Sequence, residues 1–466
     1  MNRSDALNTF NDALVKAKES HARCNDVVTF LESDNELVTK ALENSDGSLY
    51  GLPIALKDNV NTKGIKTSAC CNILNNYIPQ YNATIVDKLV NAGALIVCKS
   101  SMDELAMGGT NLTSNIGPCL NPYDTNRISG GSSGGSAALV GSGALAMAIG
   151  TDTGDSIRKP AAYCGCVGVK PTYGRISRYG IIPYSSSLDH VGVFANSVKL
   201  AAQSISALSG RDDHDLTSGN QPVEDYVANL NASVKGKTIG VIGNVIDSID
   251  NADILEQFNG LCNALEAQGA TIKKVYYDEQ LIKTILPTYY IIANCEASAN
   301  HSNLDGIRFG VQKDGDTPSD IMMNSRTQGL GKLIRKRFVI GSYGLFEENQ
   351  DKLFRKAQKI RRLLVEATEK MYEEVDALFA PAAPSIAPLL NDENADQLSD
   401  KYLIADNWLI LGNFMGAPSM TIPLGLSQGC PIATNIMCKP WNEQLMFDMG
   451  SVIEQCSQFE VKKGEN

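Results

Sequence analysis

A run rich in glycine and serine at residues 129–156, SGGSSGGSAALVGSGALAMAIGTDTGDS, constrains the fold of this chain more than any other segment. Eight of its residues are Gly and six are Ser. Its middle is apolar, so the run is not a solvated linker. The pattern predicts a tight loop over 130–135, a small-residue helix over 137–144, a buried strand over 146–151 and a second turn ending at Ser156. Such a run serves either close packing of small residues or turns whose N–H groups bind an oxyanion.

Apolar runs of strand length alternate with helical segments along much of the chain, which predicts an α/β fold in a single large domain. Residues 1–45 show helical spacing and are expected to form an outer layer. The other predicted helices cover 83–94, 252–269, 353–372 and the C-terminal end. The predicted strands cover 51–60, 95–99, 237–242, 270–277, 375–379, 420–424 and 432–437, and 392–400 is expected to be an exposed acidic loop.

Composition excludes several classes of function. The net charge of −11 argues against this chain providing the main grip on nucleic acid. Its twelve cysteines contain no CxxC pair and its four histidines are scattered, so we expect reduced thiols and no bound metal. No apolar run is long enough to cross a membrane. The N-terminal residues look like neither a signal nor a transit peptide, so we expect an intracellular, cytoplasmic protein.

The two glycine-rich turns carry candidate nucleophiles but no histidine, which argues against a Ser-His-Asp hydrolase. A GxSxG motif centres on Ser133, but no clear strand precedes it, as a nucleophile elbow requires. A buried lysine can replace the histidine, because a neutral amine accepts a serine proton. Lys57 lies near the end of an apolar strand, and Ser132 and Ser156 lie on the two turns.

Three segments resemble, in this order and spacing, the amidase signature family: GLPIALKDNV, GGSSGGSAALVGSG and GTDTGDSIRKPAAYCGCVGVKPTYGRISRYG. The family's Ser-Ser-Lys triad maps onto Ser156, Ser132 and Lys57. The resemblance implies one amidase domain over residues 1–466, with the triad in a core at 50–190 and a mixed sheet covered by helices on both faces.

The resemblance also implies a mechanism. Ser156 attacks an amide carbonyl, and Ser132, which follows a cis peptide bond, relays the proton to neutral Lys57. Backbone N–H groups of Thr153, Gly154 and Asp155 form the oxyanion hole, and water hydrolyses the acyl-enzyme.

One position departs from the family pattern, which usually has Gly immediately before the nucleophile where this chain has Asp155. The backbone N–H remains, and Asp tolerates unusual φ angles. Its carboxylate would oppose a developing oxyanion unless it turns toward Arg158 or Lys159. A working amidase and a degenerate, non-catalytic subunit are both compatible with this residue.

Further segments, above all PTYYIIANCEASANHSNLDGIRFG, resemble the branch of the family that supplies the A subunits of glutamyl-tRNA(Gln) amidotransferases. That resemblance implies a glutaminase that sends ammonia to a B subunit, which converts Glu-tRNA(Gln) to Gln-tRNA(Gln). ATP and Mg would be used in that partner, a small C-type subunit would complete a heterotrimer, and this chain would bind no cofactor. A eukaryotic member would work in the mitochondrial matrix.

Glutamine is a zwitterion, so its recognition needs a cation and an anion. The resemblance places these at Arg337 and Asp406, with Arg335 as the register alternative, and places Tyr289 or Tyr290 near the mouth of the ammonia tunnel. A free-standing amidase acting on another small or aryl amide is the alternative, and it would replace the charged pair with an apolar acyl pocket.

Overall fold

A single mixed sheet of eleven strands runs through the computed structural model, which describes residues 1–392, 400–457 and 459–461. The strand order is β1-β3-β2-β4-β6-β5-β10-β11-β9-β7-β8. The strands are β1 (Val27–Phe30), β2 (Pro53–Lys57), β3 (Leu95–Ser100), β4 (Met147–Asp152), β5 (Val167–Lys170), β6 (His190–Ala195), β7 (Thr238–Ile242), β8 (Thr271–Val275), β9 (Ala377–Pro381), β10 (Ser419–Ser427) and β11 (Cys430–Cys438).

Helices flank this sheet. They are α1 (Arg3–Cys24), α2 (Glu36–Ala41), α3 (Thr84–Asn91), α4 (Gly134–Gly141), α5 (Arg158–Cys164), α6 (Val198–Leu208), α7 (Gly243–Ile246), α8 (Ala252–Ala267), α9 (Glu279–Ile282), α10 (Ile285–Asn300), α11 (Pro318–Gly329), α12 (Lys332–Leu345), α13 (Glu347–Gln350), α14 (Phe354–Met371), α15 (Asp400–Asn407), α16 (Ile410–Met415) and α17 (Glu443–Cys456).

The sheet confirms the predicted α/β class. The strand β2 is parallel to its neighbours β3 and β4, and β7 is parallel to its neighbours β8 and β9. Neighbouring strands are antiparallel throughout the series β4-β6-β5-β10-β11-β9. The parallel group brings the carboxyl ends of β2 and β4 to one edge of the sheet. Lys57 ends β2 and Asp152 ends β4, so this edge positions the candidate site.

The prediction that residues 1–45 are all helical is wrong for Val27–Phe30, which form β1 antiparallel to β3. These residues are of types that favour strands, but the run is only four residues long and lies in a segment with helical spacing. Pairing with the backbone of β3 decides its conformation, and that partner is distant in the chain. The predicted acidic loop at 392–400 lies mostly outside the described residues, and Asp400 begins α15.

The glycines of the 129–156 run allow close packing. A Cβ at Gly135 would lie 2.5 Å from the carbonyl oxygen of Asp26, and one at Gly141 would lie 2.0 Å from that of Cys164. The helix therefore begins at Gly134, three residues before the predicted start, because these glycines are inside packed structure. Close packing, one of the two roles considered for this run, is therefore present.

The twelve cysteines are free thiols, and eleven are buried. Across the described ranges, no three His, Cys, Asp or Glu side chains are grouped as a metal site would need. Within the same residues, no helix combines the length and apolar character that crossing a bilayer demands.

Candidate active site

Lys57 is fully buried at the end of β2, where its amine contacts two serines and a threonine. Its Nζ lies 2.7 Å from Ser132 Oγ, 2.8 Å from Ser133 Oγ and 2.9 Å from Thr151 Oγ1. The peptide bond between Gly131 and Ser132 is cis, as the resemblance implies. The structure thus brings together a lysine and a serine that are 75 residues apart.

Hydrogen-bond roles around this amine favour a specific proton path. Ser133 Oγ donates its proton to the carbonyl oxygen of Thr151 at 3.0 Å, so it accepts from Lys57. A neutral amine has two N–H donors and one lone pair. If Thr151 Oγ1 accepts the second N–H, the lone pair is left for the hydroxyl proton of Ser132.

Burial lowers the pKa of Lys57 to about 7, and the carboxylates of Asp103, Asp152 and Asp189 only partly oppose the shift. A lysine in water is almost entirely protonated at neutral pH. At pH 7 a substantial fraction of Lys57 is neutral, which is the form that can accept a proton from a serine.

Ser156 lies in the turn between β4 and α5, which a buried ion pair holds in place. Arg158 donates from Nε and Nη2 to the two carboxylate oxygens of Asp152, at 3.1 and 2.9 Å. The same guanidinium donates to the carbonyl oxygen of Gly154 at 2.8 Å. Burial alone would raise the pKa of Asp152, but the charge and hydrogen bonds of Arg158 outweigh it and hold that pKa well below its usual range. Both ends of the turn are therefore fixed.

The two glycine-rich turns are also joined to each other, because the backbone N–H of Ser133 donates to the carbonyl oxygen of Ser156 at 3.2 Å. Ser156 itself is buried. In the described part of the chain, no acceptor takes the backbone N–H groups of Thr153, Gly154 or Asp155. These three amides, predicted to form the oxyanion hole, are available to a substrate oxygen.

The side chain of Asp155 turns toward Lys159, and its Oδ2 lies 3.8 Å from Lys159 Nζ. Burial raises the pKa of Asp155 to about 7, although the Lys159 charge opposes the shift. The carboxyl is consequently neutral in part of the molecules at pH 7. This arrangement reduces the electrostatic penalty that an acidic residue beside the nucleophile would otherwise impose.

We call the turn between β4 and α5 the nucleophile turn, after its predicted nucleophile Ser156. A cavity of about 550 Å³ reaches this turn at Gly154 and Asp155, and Arg337 and Asp406 line it as well. Arg337 donates to Tyr184 Oη at 2.7 Å and lies 5.3 Å from the ring centre of Tyr290. The structure therefore brings the predicted cation and anion into one cavity beside the predicted nucleophile.

Asp406 belongs to α15. Its Oδ1 lies 2.5 Å from the amine of Lys159, which is a partner that sequence reasoning did not identify. Tyr289 and Tyr290 both line the cavity, and Tyr289 packs against Gly154. Arg335, the register alternative, is exposed and lines a different groove, between α11 and α12.

Sequence reasoning also missed Ser133 and Thr151 as partners of Lys57, and the pairing of Arg158 with Asp152. Residue spacing does not predict these contacts, although all four residues lie in or beside the glycine-rich run. Their contacts depend on how β2, β4 and α5 meet in space.

Comparison with known proteins adds an independent observation: the Amidase family model matches residues 9–447. The chain belongs to the amidase family. This amidase is 38% identical over 452 residues to the A subunit of the glutamyl-tRNA(Gln) amidotransferase of Lactobacillus delbrueckii subsp. bulgaricus, covering 96% of this chain and 92% of the relative. It is 40% identical over 416 residues to the corresponding protein of Microcystis aeruginosa, covering 89% and 85%.

Among solved structures, the crystal structure of the A subunit of glutamyl-tRNA(Gln) amidotransferase from Thermotoga maritima superposes on this amidase with a TM-score of 0.80. The two chains are 30% identical, and the match covers 100% of this chain and 96% of the other. The amidase fold is therefore shared over the full length of the chain.

Proposed function

We propose that this chain is the glutamine-hydrolysing A subunit of a tRNA-dependent amidotransferase. The proposal rests mainly on one observation, that Arg337 and Asp406 line the cavity that reaches the nucleophile turn. The similarity of the chain to relatives that are named as A subunits supports the same conclusion.

The charges of this cavity suit a small zwitterion. Arg337 offers a guanidinium to an α-carboxylate, and Asp406 offers the carboxylate oxygen not bound to Lys159 to an α-ammonium. Lys159 and Asp155 line the same cavity, so it presents charges of both signs. An aryl amide would desolvate these groups without offering them a charge beyond the partners that they already have in Tyr184 and Lys159, which costs binding energy.

The contacts of Lys57 fit acyl transfer through the two serines. Ser156 Oγ attacks the side-chain carbonyl of glutamine while Ser132 takes its proton and passes its own to the lone pair of Lys57. The free amides at Thr153, Gly154 and Asp155 stabilise the oxyanion, each donor contributing about 3 kcal/mol to the transition state. The proton then returns through Ser132 to the departing nitrogen, and water hydrolyses the glutamyl ester.

In the proposed complex, partner subunits would carry the steps that follow glutamine hydrolysis. A B subunit would use ATP and Mg to activate Glu-tRNA(Gln), and a small C-type subunit would complete a heterotrimer. The net charge of −11 fits an arrangement in which the partners provide the main contacts with tRNA.

Ammonia release from glutamine tests the proposal, measured with the purified chain alone and with its B and C partners. We expect release that increases when the partners are present and is abolished by Ser156→Ala. Turnover of aryl amides without any glutamine hydrolysis would replace the proposal with a free-standing amidase. No turnover of either substrate, with partner binding intact, would indicate a non-catalytic subunit.

A further inference from the structure

The cavity beside the nucleophile turn already supplies a cation to one of its carboxylates. Lys159, on α5, extends its amine to Asp406, on α15, and its Nζ lies 2.5 Å from Asp406 Oδ1. The same amine donates to the backbone carbonyl oxygen of Asp406. The lysine side chain is only 4% exposed, so this pair is built into the wall of the cavity. Asp406 therefore has a cationic partner before any substrate binds.

The other carboxylates of this cavity make smaller demands on the charge of Lys159. Asp155 Oδ2 lies 3.8 Å from Lys159 Nζ, and burial raises the pKa of Asp155 to about 7, so this carboxyl is only partly charged at neutral pH. Asp392 also lines the cavity, but it is exposed, and water and salt screen its charge. Lys159 consequently balances mainly Asp406.

Arg337, in contrast, contacts neutral groups. It donates to Tyr184 Oη at 2.7 Å and lies 5.3 Å from the ring centre of Tyr290. Across the ranges that the structure describes, no carboxylate forms an ion pair with this guanidinium. The described groups thus leave one cation of the cavity unbalanced and leave Asp406 balanced. A ligand that brings one carboxylate completes these charges, and an ammonium group is not required.

We propose that Lys159 determines the specificity of this site by supplying the cation for Asp406, so that the chain also hydrolyses ω-amides that carry a carboxylate and no ammonium group. Glutaramate, which is glutamine with hydrogen in place of the α-ammonium, is the simplest member of this class. The inference rests on the proposed function for the position of the amide and for Arg337 as the carboxylate site.

The reaction needs no reactant besides water. Ser156 Oγ bonds to the amide carbon, and the C–N bond breaks as a proton reaches the nitrogen through Ser132. Ammonia leaves with the electron pair of that bond, and water hydrolyses the glutaryl ester to glutarate. The α-ammonium of glutamine takes no part in these steps, and in this site it would approach a carboxylate that already has a cation.

Ammonia release from three amides tests the proposal, measured at pH 7 with the purified chain, alone and with its proposed partners. The amides are glutamine, glutaramate and 4-aminobutanamide, which keeps the ammonium but lacks the carboxylate. We expect kcat/KM for glutaramate to be within about tenfold of that for glutamine, and 4-aminobutanamide to be the poorest of the three. A larger deficit for glutaramate, or a preference for 4-aminobutanamide over glutaramate, would overturn the proposal.

Lys159→Gln provides a second test, because it removes the cation and keeps a hydrogen-bond donor. The ammonium of glutamine can then replace the lost charge beside Asp406, whereas glutaramate offers none. The ratio of kcat/KM for glutamine to that for glutaramate should rise about tenfold to a hundredfold. A merely structural disturbance would lower both values alike, and an unchanged ratio would overturn the role of Lys159. If this variant does not fold, the three amides and the unaltered protein still decide.

Lys40→Gln is the matched control, since Lys40 also lies 2.5 Å from a carboxylate oxygen, that of Glu36, but on the exposed surface of α2. Its ratio should equal that of the unaltered protein. Ser156→Ala should abolish the hydrolysis of both amides. Hydrolysis of glutaramate without hydrolysis of glutamine would contradict the proposed function alone. Hydrolysis of glutamine with a deficit for glutaramate beyond about tenfold would contradict this inference alone.

Discussion

The amine of Lys57 lies 2.7 Å from the hydroxyl oxygen of Ser132, at the carboxyl end of a strand that is fully buried there. Ser133 lies almost as close, at 2.8 Å, but gives its own proton to a backbone carbonyl. Proximity therefore does not distinguish the two serines, whereas their hydrogen-bond roles do.

Ser132→Ala and Ser133→Ala form a matched pair that tests this distinction. Loss of the proton relay should lower kcat for glutamine hydrolysis by about 10²- to 10⁴-fold in Ser132→Ala. Ser133→Ala removes one acceptor of Lys57 but not the relay, so its loss should be much smaller. Steady-state ammonia release measures kcat of both variants. Equal losses of kcat would contradict the assignment of Ser132 as the proton relay.

The pH dependence of glutamine hydrolysis should follow the protonation of Lys57. Its pKa is lowered to about 7, and only the neutral amine accepts a proton, so activity should rise with pH through about 7. In Asp155→Asn, where no charge develops beside Ser156, the activity should then level off. An ordinary lysine would delay this rise to about pH 10. Profiles of kcat/KM between about pH 5 and about pH 9 report the ionisation of the free enzyme. A rise that is still incomplete at the alkaline end of these profiles would exclude a buried neutral lysine as the base.

Asp155→Asn should change the activity mainly on the alkaline side. The pKa of Asp155 is raised to about 7, so its carboxyl is neutral below that pH and negative above it. A negative charge beside the nucleophile opposes the oxyanion, so we expect a higher kcat for Asp155→Asn above pH 7 and little change below. Comparing kcat of the two proteins on both sides of neutrality checks this. A uniform change at all pH values would show that charge is not the cause.

Arg337→Met and Arg335→Met compare two neighbouring arginines of α12. Arg337 lines the cavity that reaches Gly154 and Asp155, and Arg335 does not. A charge-assisted hydrogen bond contributes about 1.5–3 kcal/mol, so KM for glutamine should rise about tenfold to a hundredfold in Arg337→Met. Arg335→Met should leave KM unchanged, and a rise in that variant instead would favour the alternative register.

Asp152→Asn should destabilise the fold, because it leaves the buried guanidinium of Arg158 without its carboxylate. Breaking a buried ion pair on one side costs about 3–5 kcal/mol. The exposed pair of Arg211 and Asp213 supplies the control, since Arg211→Ala should cost less than about 1 kcal/mol. Urea unfolding at pH 7 measures the free energy of unfolding of both variants. Equal losses of stability would refute a structural role for the buried pair.

Local properties of the sequence were sufficient to predict the fold class and to single out three candidate residues, whose roles as a triad are implied by the resemblance to the amidase signature family. Strand-length apolar runs alternating with helical periodicity predicted the α/β sheet, and the strands that were predicted lie within a few residues of their observed bounds. The strands β5 and β6, near the middle of the sheet, were not predicted. Lys57, Ser132 and Ser156 were selected because residue type, glycine context and spacing can all be read along the chain. The strand Val27–Phe30 was missed because its pairing partner is remote in the chain.

The surroundings of the triad, in contrast, follow from tertiary packing. That Ser133 gives its proton to Thr151, that Asp155 turns toward Lys159, and that Arg158 pairs with Asp152 all depend on distances between elements. The same holds for the cavity that joins Arg337 to Asp406, two residues on separate helices. Burial sets the pKa of Lys57, and burial is a property of the packed molecule that no spacing of residues encodes.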